Sequence, residues 1–284
     1  MNFYLGCAVW SHKEWVGNLY PPKSKPSDFL NLYSRRFTTV EGNTTFYAVP
    51  SAETVRKWAA QTPAGFKFCP KTNRQITHQG LLSPQTSQMM SFLTRMSDLG
   101  DRLGTTFIQL PPSYSPQYFD DLAQFLNACS QSNLSLALEV RHLDWFEPKH
   151  SERLNDLLSK LNLARVLLDT RPIYNCADDP QVNSQRKKPK LPLQKTVIGD
   201  VAFVRFISHP NRDRNQFYLH NWANTVKDWL SQAKIVYFFV HCPAEIYSPD
   251  TAKFFQSLLV ELGCKVTPLP WNSIDPQPQQ LSLF

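Results

Sequence analysis

Glu41 and Asn43, Lys71, Gln109, Glu139 and Arg141, Asp169 and Arg171, Arg205, and His241 each stand in or just past a short β-prone run. Together they carry most of the chemistry the chain could perform. Arginine and lysine hold phosphate or carboxylate, because guanidinium matches a pair of oxygens with parallel hydrogen bonds. Glu41, Glu139 or Asp169 could take or donate a proton, with an acidity tuned by burial and by cationic neighbours. Lys71, crowded by Arg141 and Arg205, would be neutral enough to attack a carbonyl such as an open-chain sugar aldehyde. The competing reading pairs these charges in a purely structural network. His241, in a Val-His-Cys run, fits a packed imidazole as well as a substrate contact. Alternate residues of a strand share a face, so Glu41 with Asn43, Glu139 with Arg141, and Asp169 with Arg171 should each point the same way.

Aromatic side chains interleave with these groups. Trp10 opens Trp-Ser-His-Lys-Glu-Trp, and Phe46-Tyr47 follow Asn43. Trp10 and Tyr47 could stack a base or a sugar; equally, such rings seal the end of a fold without meeting a ligand. His12, His78 and His142 lie in loops, and none forms an H-x-x-x-H ligand spacing. A zinc cluster is unsupported, and no metal ligand is assigned. Nine glycines, with no phosphate-cradling glycine loop and no nucleophile elbow, point to no particular cofactor.

Positioning these residues requires a repeating scaffold. Strands are expected at Tyr4–Val9, Thr38–Glu41, Lys67–Cys69, Thr105–Leu110, Leu136–Val140, Arg165–Asp169, Ala202–Ile207 and Ile235–Val240, with helical patterns between them. Leu154, Leu157, Leu158 and Leu161 form one such stripe; Phe255, Leu258, Leu259 and Leu262 form another. Ser115-Pro116 and Ser248-Pro249 read as capped helix starts. Eight βα units predict a single (β/α)8 barrel of the TIM type, whose usual length is ~250 residues and whose reactive groups sit at the carboxyl ends of the strands. The barrel is expected over residues 1–268. An irregular insertion, Thr170–Gly199, breaks the rhythm between strands six and seven, and residues 269–284 read as a flexible Pro/Gln-rich tail.

The chain of 284 residues carries a formal charge of +7. Much of that excess lies in the insertion, where Arg186, Lys187, Lys188 and Lys190 form a run suited to touching nucleic-acid phosphates. The six cysteines are scattered singly, as reduced, packed thiols are. The N-terminus has no secretory pattern, and the longest apolar run, Ile235–Val240, falls far short of the ~18 residues of a membrane span, so a cytoplasmic protein is expected.

The tail ends in Gln280-Leu281-Ser282-Leu283-Phe284, which resembles the peptide by which bacterial proteins dock on the DNA sliding clamp. In such a peptide Leu281 or Leu283 with Phe284 would fill a pocket while Gln280 fixes the register. From Gly6 to about Pro270 the chain also resembles the YecE-like family, long catalogued as a domain of unknown function. The resemblance rests on Gly6, Trp10, Trp15 and Tyr20-Pro21, and on E-x-N-x-x-F-Y at Glu41 to Tyr47. Phe66, Phe68 and Lys71, Gln109-Leu110-Pro111, Glu139 to Arg141, and Val204-Arg205-Phe206 extend it. It implies a TIM-type barrel distantly like sugar isomerases and the apurinic-site endonuclease group, and no established activity. Val240-His241-Cys242 stands where many members carry Phe-Asn-Asn, and the histidine ligands of an endonuclease-type metal centre are lacking.

The first functional expectation is an enzyme, a hydrolase or lyase, acting on a phosphate-bearing or sugar-phosphate substrate, nucleic acid included, and delivered to DNA by the clamp. The second is a small-molecule carbohydrate or acid enzyme with an incidental tail. The third is a non-catalytic nucleic-acid or clamp adaptor.

Overall fold

The computed structural model describes residues 2–184 and 187–269, and every expected strand is present, with its ends moved by at most two residues. They are β1 Phe3–Cys7, β2 Thr39–Gly42, β3 Lys67–Pro70, β4 Thr106–Gln109, β5 Leu136–Glu139, β6 Ala164–Asp169, β7 Val201–Ile207 and β8 Ile235–His241. Ten α-helices lie among the described residues. The first five are α1 Phe29–Ser34, α2 Thr44–Tyr47, α3 Ala52–Gln61, α4 Arg74–Thr77 and α5 Thr86–Ser97. After them come α6 Phe119–Ser130, α7 Pro148–Lys160, α8 Arg171–Tyr174, α9 Asp213–Ser231 and α10 Ser248–Glu261. No helix among them is long and apolar enough to cross a membrane.

All strand pairs are parallel, but they form two sheets rather than one continuous ring. Six strands make a curled sheet in the order β1-β8-β7-β6-β5-β4, and β2-β3 stand as a separate pair. Side chains do part of the joining. Between β1 and β2, the Leu5 amide donates to Thr38 Oγ1 (2.9 Å), the Cys7 amide donates to the Tyr33 hydroxyl (2.6 Å), and that hydroxyl donates to the Thr39 carbonyl (3.1 Å). Between β3 and β4, the Gly104 amide reaches the Phe68 carbonyl (2.7 Å) and the Thr72 amide reaches the Phe107 carbonyl (3.0 Å). Each seam has a glycine that permits the approach. A Cβ on Gly6 would stand 1.9 Å from the Thr39 carbonyl oxygen, and one on Gly104 would stand 2.9 Å from Cys69 Sγ.

The period-two pattern sorts the strand residues into two cores. Cys69, Phe107, Ala137, Val166, Phe203 and Phe239 fill the concave interior with Tyr237, while the opposite faces pack on the helices. Leu154 and Leu158 of α7 and Phe255, Leu258 and Leu259 of α10 are buried there, with Leu157, Leu161 and Leu262 at the margin. The two Ser-Pro starts differ from expectation. Ser115 makes no side-chain cap and begins a short 3-10 turn, and Ser248 turns its hydroxyl onto Glu245 Oε2 (2.7 Å). Among its described residues, the insertion after β6 carries the single turn α8 and otherwise irregular chain up to Gly199.

Candidate functional site

Above the apolar plug, the inward alternation of six strands continues into polar side chains: Glu41, Lys71, Gln109, Glu139, Arg205 and His241. All six are buried. Arg205 is the hub. Its Nε and one terminal nitrogen donate to Glu41 at 2.8 and 2.9 Å, and the other terminal nitrogen donates to Glu139 Oε2 at 2.5 Å. Glu139 Oε1 also accepts from Arg141 Nε and Gln109 Nε2, both at 2.7 Å. Glu41 accepts from Asn43 Nδ2 (2.7 Å) and contacts His241 Nε2 (2.8 Å). Asn43 also donates to the Ala8 carbonyl, which ties the loop after β1 to this layer.

Burial by itself would raise the Glu41 carboxyl, but Arg205 and then His241 outweigh it and hold the group well below its usual range. Glu139 behaves alike. Burial opposes its charge, yet Arg205, Arg141 and Lys71 bring it down to about 2. Both groups are thus held toward the ionised form, with Glu41 accepting from Arg205 and Glu139 from Arg205 and Arg141. Burial, against the pull of Glu41, lowers His241 to about 4. A carboxylate only accepts hydrogen bonds, so the neutral ring carries its proton on Nε2 and leaves Nδ1 as an acceptor. That Nδ1 is buried and has no hydrogen-bond partner among the described residues.

This layer floors a cavity of about 550 Å³ at the carboxyl ends of the strands. Of the expected contacts, Asn43, Tyr47, Lys71, Gln109, Arg141, Arg205 and His241 line it, while Glu41 and Glu139 lie against it through Arg205. Sequence reasoning placed Phe46 and His78 near the mouth and left Arg74 and Glu245 without a role, and all four line it as well. Burial raises Glu245 to about 7. Its position, four residues past the end of β8, is a usual place for reactive groups in parallel α/β folds, and that was the signal available. His78, with Lys71 and Arg141 nearby, is lowered to about 4, chiefly by burial.

Three expected site residues lie elsewhere. Asp169 and Arg171 do share a face, but it is the helix-packed one. Arg171 donates from its amide, Nε and a terminal nitrogen to Asp169, and Trp222 Nε1 of α9 donates to Asp169 Oδ2 at 2.7 Å. The reason is phase: the inward residues of β6 are Ala164, Val166 and Leu168, so Asp169 must point outward. Trp10 packs edge-on against Trp58 (5.3 Å) and Phe68 (6.1 Å), and it is not among the residues that line the cavity.

The basic insertion folds back over the mouth. The Tyr174 hydroxyl donates to the Lys188 carbonyl (2.5 Å), and the Lys188 amide donates to Oε1 of the buried Gln181 (2.6 Å). Lys187 and Lys188 thereby line the cavity, while Lys187 and Lys190 remain exposed to solvent. Burial and then Arg205 lower Lys188. Lys187 pairs with Asp179 (3.2 Å), and Lys190 stands 5.8 Å from the Tyr174 ring centroid. Arg186 and the tail residues Gln280, Leu281, Leu283 and Phe284 lie outside the described residues.

Among the described residues, Cys176, Asp178 and His209 form a group of ligand-type side chains whose donor atoms fall within 4.8 Å of one another. The ring is already engaged. His209 Nδ1 accepts from the Asn211 amide (2.9 Å) and Nε2 meets Asp178 (3.0 Å), leaving no ring lone pair for an ion. A second cavity, about 670 Å³, opens at the amino ends of the strands beside Tyr4, Phe37 and Lys67, away from all the strand-end chemistry.

Residues 4–274 match the model of the family described as protein of unknown function DUF72. The chain belongs to the DUF72 family. The UPF0759 protein YecE of Escherichia coli K12 is 32% identical over an alignment of 288 residues that covers 99% of each chain. UPF0759 protein YunF of Bacillus subtilis 168 is 26% identical over 185 residues, 63% of this chain and 61% of that one. Two solved DUF72 structures share the fold. One, from Enterococcus faecalis V583, has a TM-score of 0.71 at 17% identity and covers 97% of this chain and 98% of its own. The other, from Thermotoga maritima, has a TM-score of 0.67 at 21% identity, with 92% and 100% covered. The expected YecE-like membership is thus borne out, and the family description carries no activity.

Proposed function

We propose that this DUF72 chain is an enzyme whose eight strands act as one (β/α)8 barrel and whose mouth takes a small phosphate- or carboxylate-bearing substrate of the sugar-phosphate class. One observation carries the reading. Arg74 and Lys188 line the cavity with no ion pair to a carboxylate among the described residues, while the carboxylates beneath are spent on Arg205 and Arg141. A bound anion would supply the missing partner. The open Nδ1 of His241 asks for a donor, as a sugar hydroxyl provides. Asn43, Tyr47, Gln109 and Arg141 would complete the contacts. Glu41 and Glu139 then act as positioning groups that hold Arg205 and Arg141, and Glu245, held near neutral pH, takes the acid/base role.

Turnover screens on sugar phosphates and on abasic, nicked and RNA-containing oligonucleotides test the proposal. It predicts hydrolase or lyase turnover that Glu245→Gln lowers at least about tenfold, the low end of what a positioned general acid supplies being larger still. No turnover on any member of these classes would contradict it.

A second reading concerns place and rests on the terminal Gln280 to Phe284 sequence: the tail docks the chain on the sliding clamp in the cytoplasm, close to nucleic acid. A clamp pull-down with Leu283→Ala, Phe284→Ala should lose binding, and equal retention of both forms would remove it.

A further inference from the structure

Lys71 is the exception in the polar layer. Arg205 and Arg141 each hold a carboxylate, but Lys71 Nζ has neither a hydrogen bond nor an ion pair among the described residues. Its backbone is nonetheless fixed. The Lys71 amide donates to the Gly42 carbonyl (3.2 Å), and Thr45 Oγ1 donates to the Lys71 carbonyl (2.6 Å). The side chain is 6% exposed, and its Nζ stands 3.7 Å from the Phe46 ring centroid and 6.0 Å from that of Phe107. Two rings thus wall an amine that borders the cavity. A lysine buried for stability would be expected to pair with a counter-charge; Glu139 and Glu41 act on this one only from beyond ion-pair distance, and its Nζ meets aromatic carbon and the cavity.

We infer that Lys71 is a carbonyl-reactive amine that forms an imine with an aldehyde or ketone bearing a phosphate or carboxylate group. The inference rests on the anion-binding reading above and names the substrate class of the same site. The Nζ lone pair adds to the carbonyl carbon while the π electrons move to oxygen, and a proton passes from nitrogen to oxygen to give a carbinolamine. Loss of the hydroxyl as water, with a proton from the Glu245 carboxyl, leaves the protonated imine and the Glu245 carboxylate. No oxidant or reductant is consumed. The protonation states fit. Burial, and then the charge of Arg205, lower the Lys71 amine well below its ordinary value, while Glu245 retains its proton up to about 7.

The test is reductive trapping of the full chain at neutral pH with cyanoborohydride and glyceraldehyde 3-phosphate, followed by peptide mapping. Uncharged glyceraldehyde serves as the comparison, and inorganic phosphate as the competitor. Mapping the wild type needs no variant to fold; Lys71→Arg, which keeps a cation, is the second arm. Because each unit of lowered amine pKa raises the neutral fraction about tenfold, Lys71 should be labelled at least about tenfold faster than exposed Lys23 or Lys57. The label should favour the phosphate ester, fall with added phosphate and vanish from that peptide in Lys71→Arg. Labelling spread over exposed lysines overturns the imine, while phosphate binding measured alongside shows whether the anion reading survives. Equal labelling by glyceraldehyde and its phosphate ester overturns the assignment of an anionic substrate and leaves the amine chemistry standing.

Discussion

Glu139-Val140-Arg141 and Asp169-Thr170-Arg171 share one pattern, a carboxylate ending a buried parallel strand and a guanidinium two residues later. They fold to opposite sides of the sheet. Glu139 continues the inward phase of β5 after Ala137 and enters the cavity-lining network with Arg205, Arg141 and Gln109. Asp169 falls out of phase with Val166 and Leu168, and its carboxylate is consumed by Arg171 and the Trp222 indole. The same residue types at the same spacing therefore make a wall of the site in one place and a helix-to-sheet clamp in the other. What separates them is strand phase relative to the apolar plug.

The largest effect expected from breaking either side comes from the hub. Arg205→Met would strand two buried carboxylates and cost about 3–5 kcal/mol in urea unfolding. On the clamp side, Trp222→Phe removes a donor to a buried carboxylate, an expected loss of about 1–3 kcal/mol with phosphate affinity unchanged. A larger effect on binding than on stability is expected for Arg141, whose side chain is 17% exposed. Arg141→Ala should weaken phosphate binding about tenfold, roughly 1.4 kcal/mol, and, because Glu139 keeps Arg205, should cost less stability than Arg205→Met.

The smallest effect is pH dependence. Burial raises the folded Glu245 carboxyl from 4.5 to about 7. A raised carboxyl contributes stability below its unfolded value and loses it as pH climbs through the folded one; the new carboxylate also repels a bound anion. Phosphate affinity should thus fall several-fold between about pH 6 and 8, and Glu245→Gln should flatten that fall. Glu139, lowered to about 2 after burial is outweighed by its cations, has the opposite sign: its contribution is full above 4.5 and is lost as pH falls toward 2.

All eight strands were legible because each is a short apolar run bounded by turn chemistry, and the six inward polar residues were legible because ligands meet parallel α/β sheets at the carboxyl ends of their strands. The phase of Asp169 was readable too: Ala164, Val166 and Leu168 are small or apolar, and counting in twos from them turns Asp169 away. Glu245 and Lys188 were harder. One reaches the cavity from a loop past β8 and the other from an insertion whose fold-back rests on Tyr174 and Gln181, contacts with no local periodicity. The two seams were also hidden, since only the approach of Thr39 explains why position 6 must lack a side chain. His241 joins two readings that sequence had set apart, a packed imidazole that also lines the cavity.

Calorimetric titration of inorganic phosphate into the full chain tests the central claim, an anion-binding mouth distinct from the Asp169 clamp. The wild type should bind saturably, Arg141→Ala and Arg74→Ala should weaken binding, and Asp169→Asn should leave it unchanged. Absence of saturable binding, or equal loss in Asp169→Asn, would contradict it.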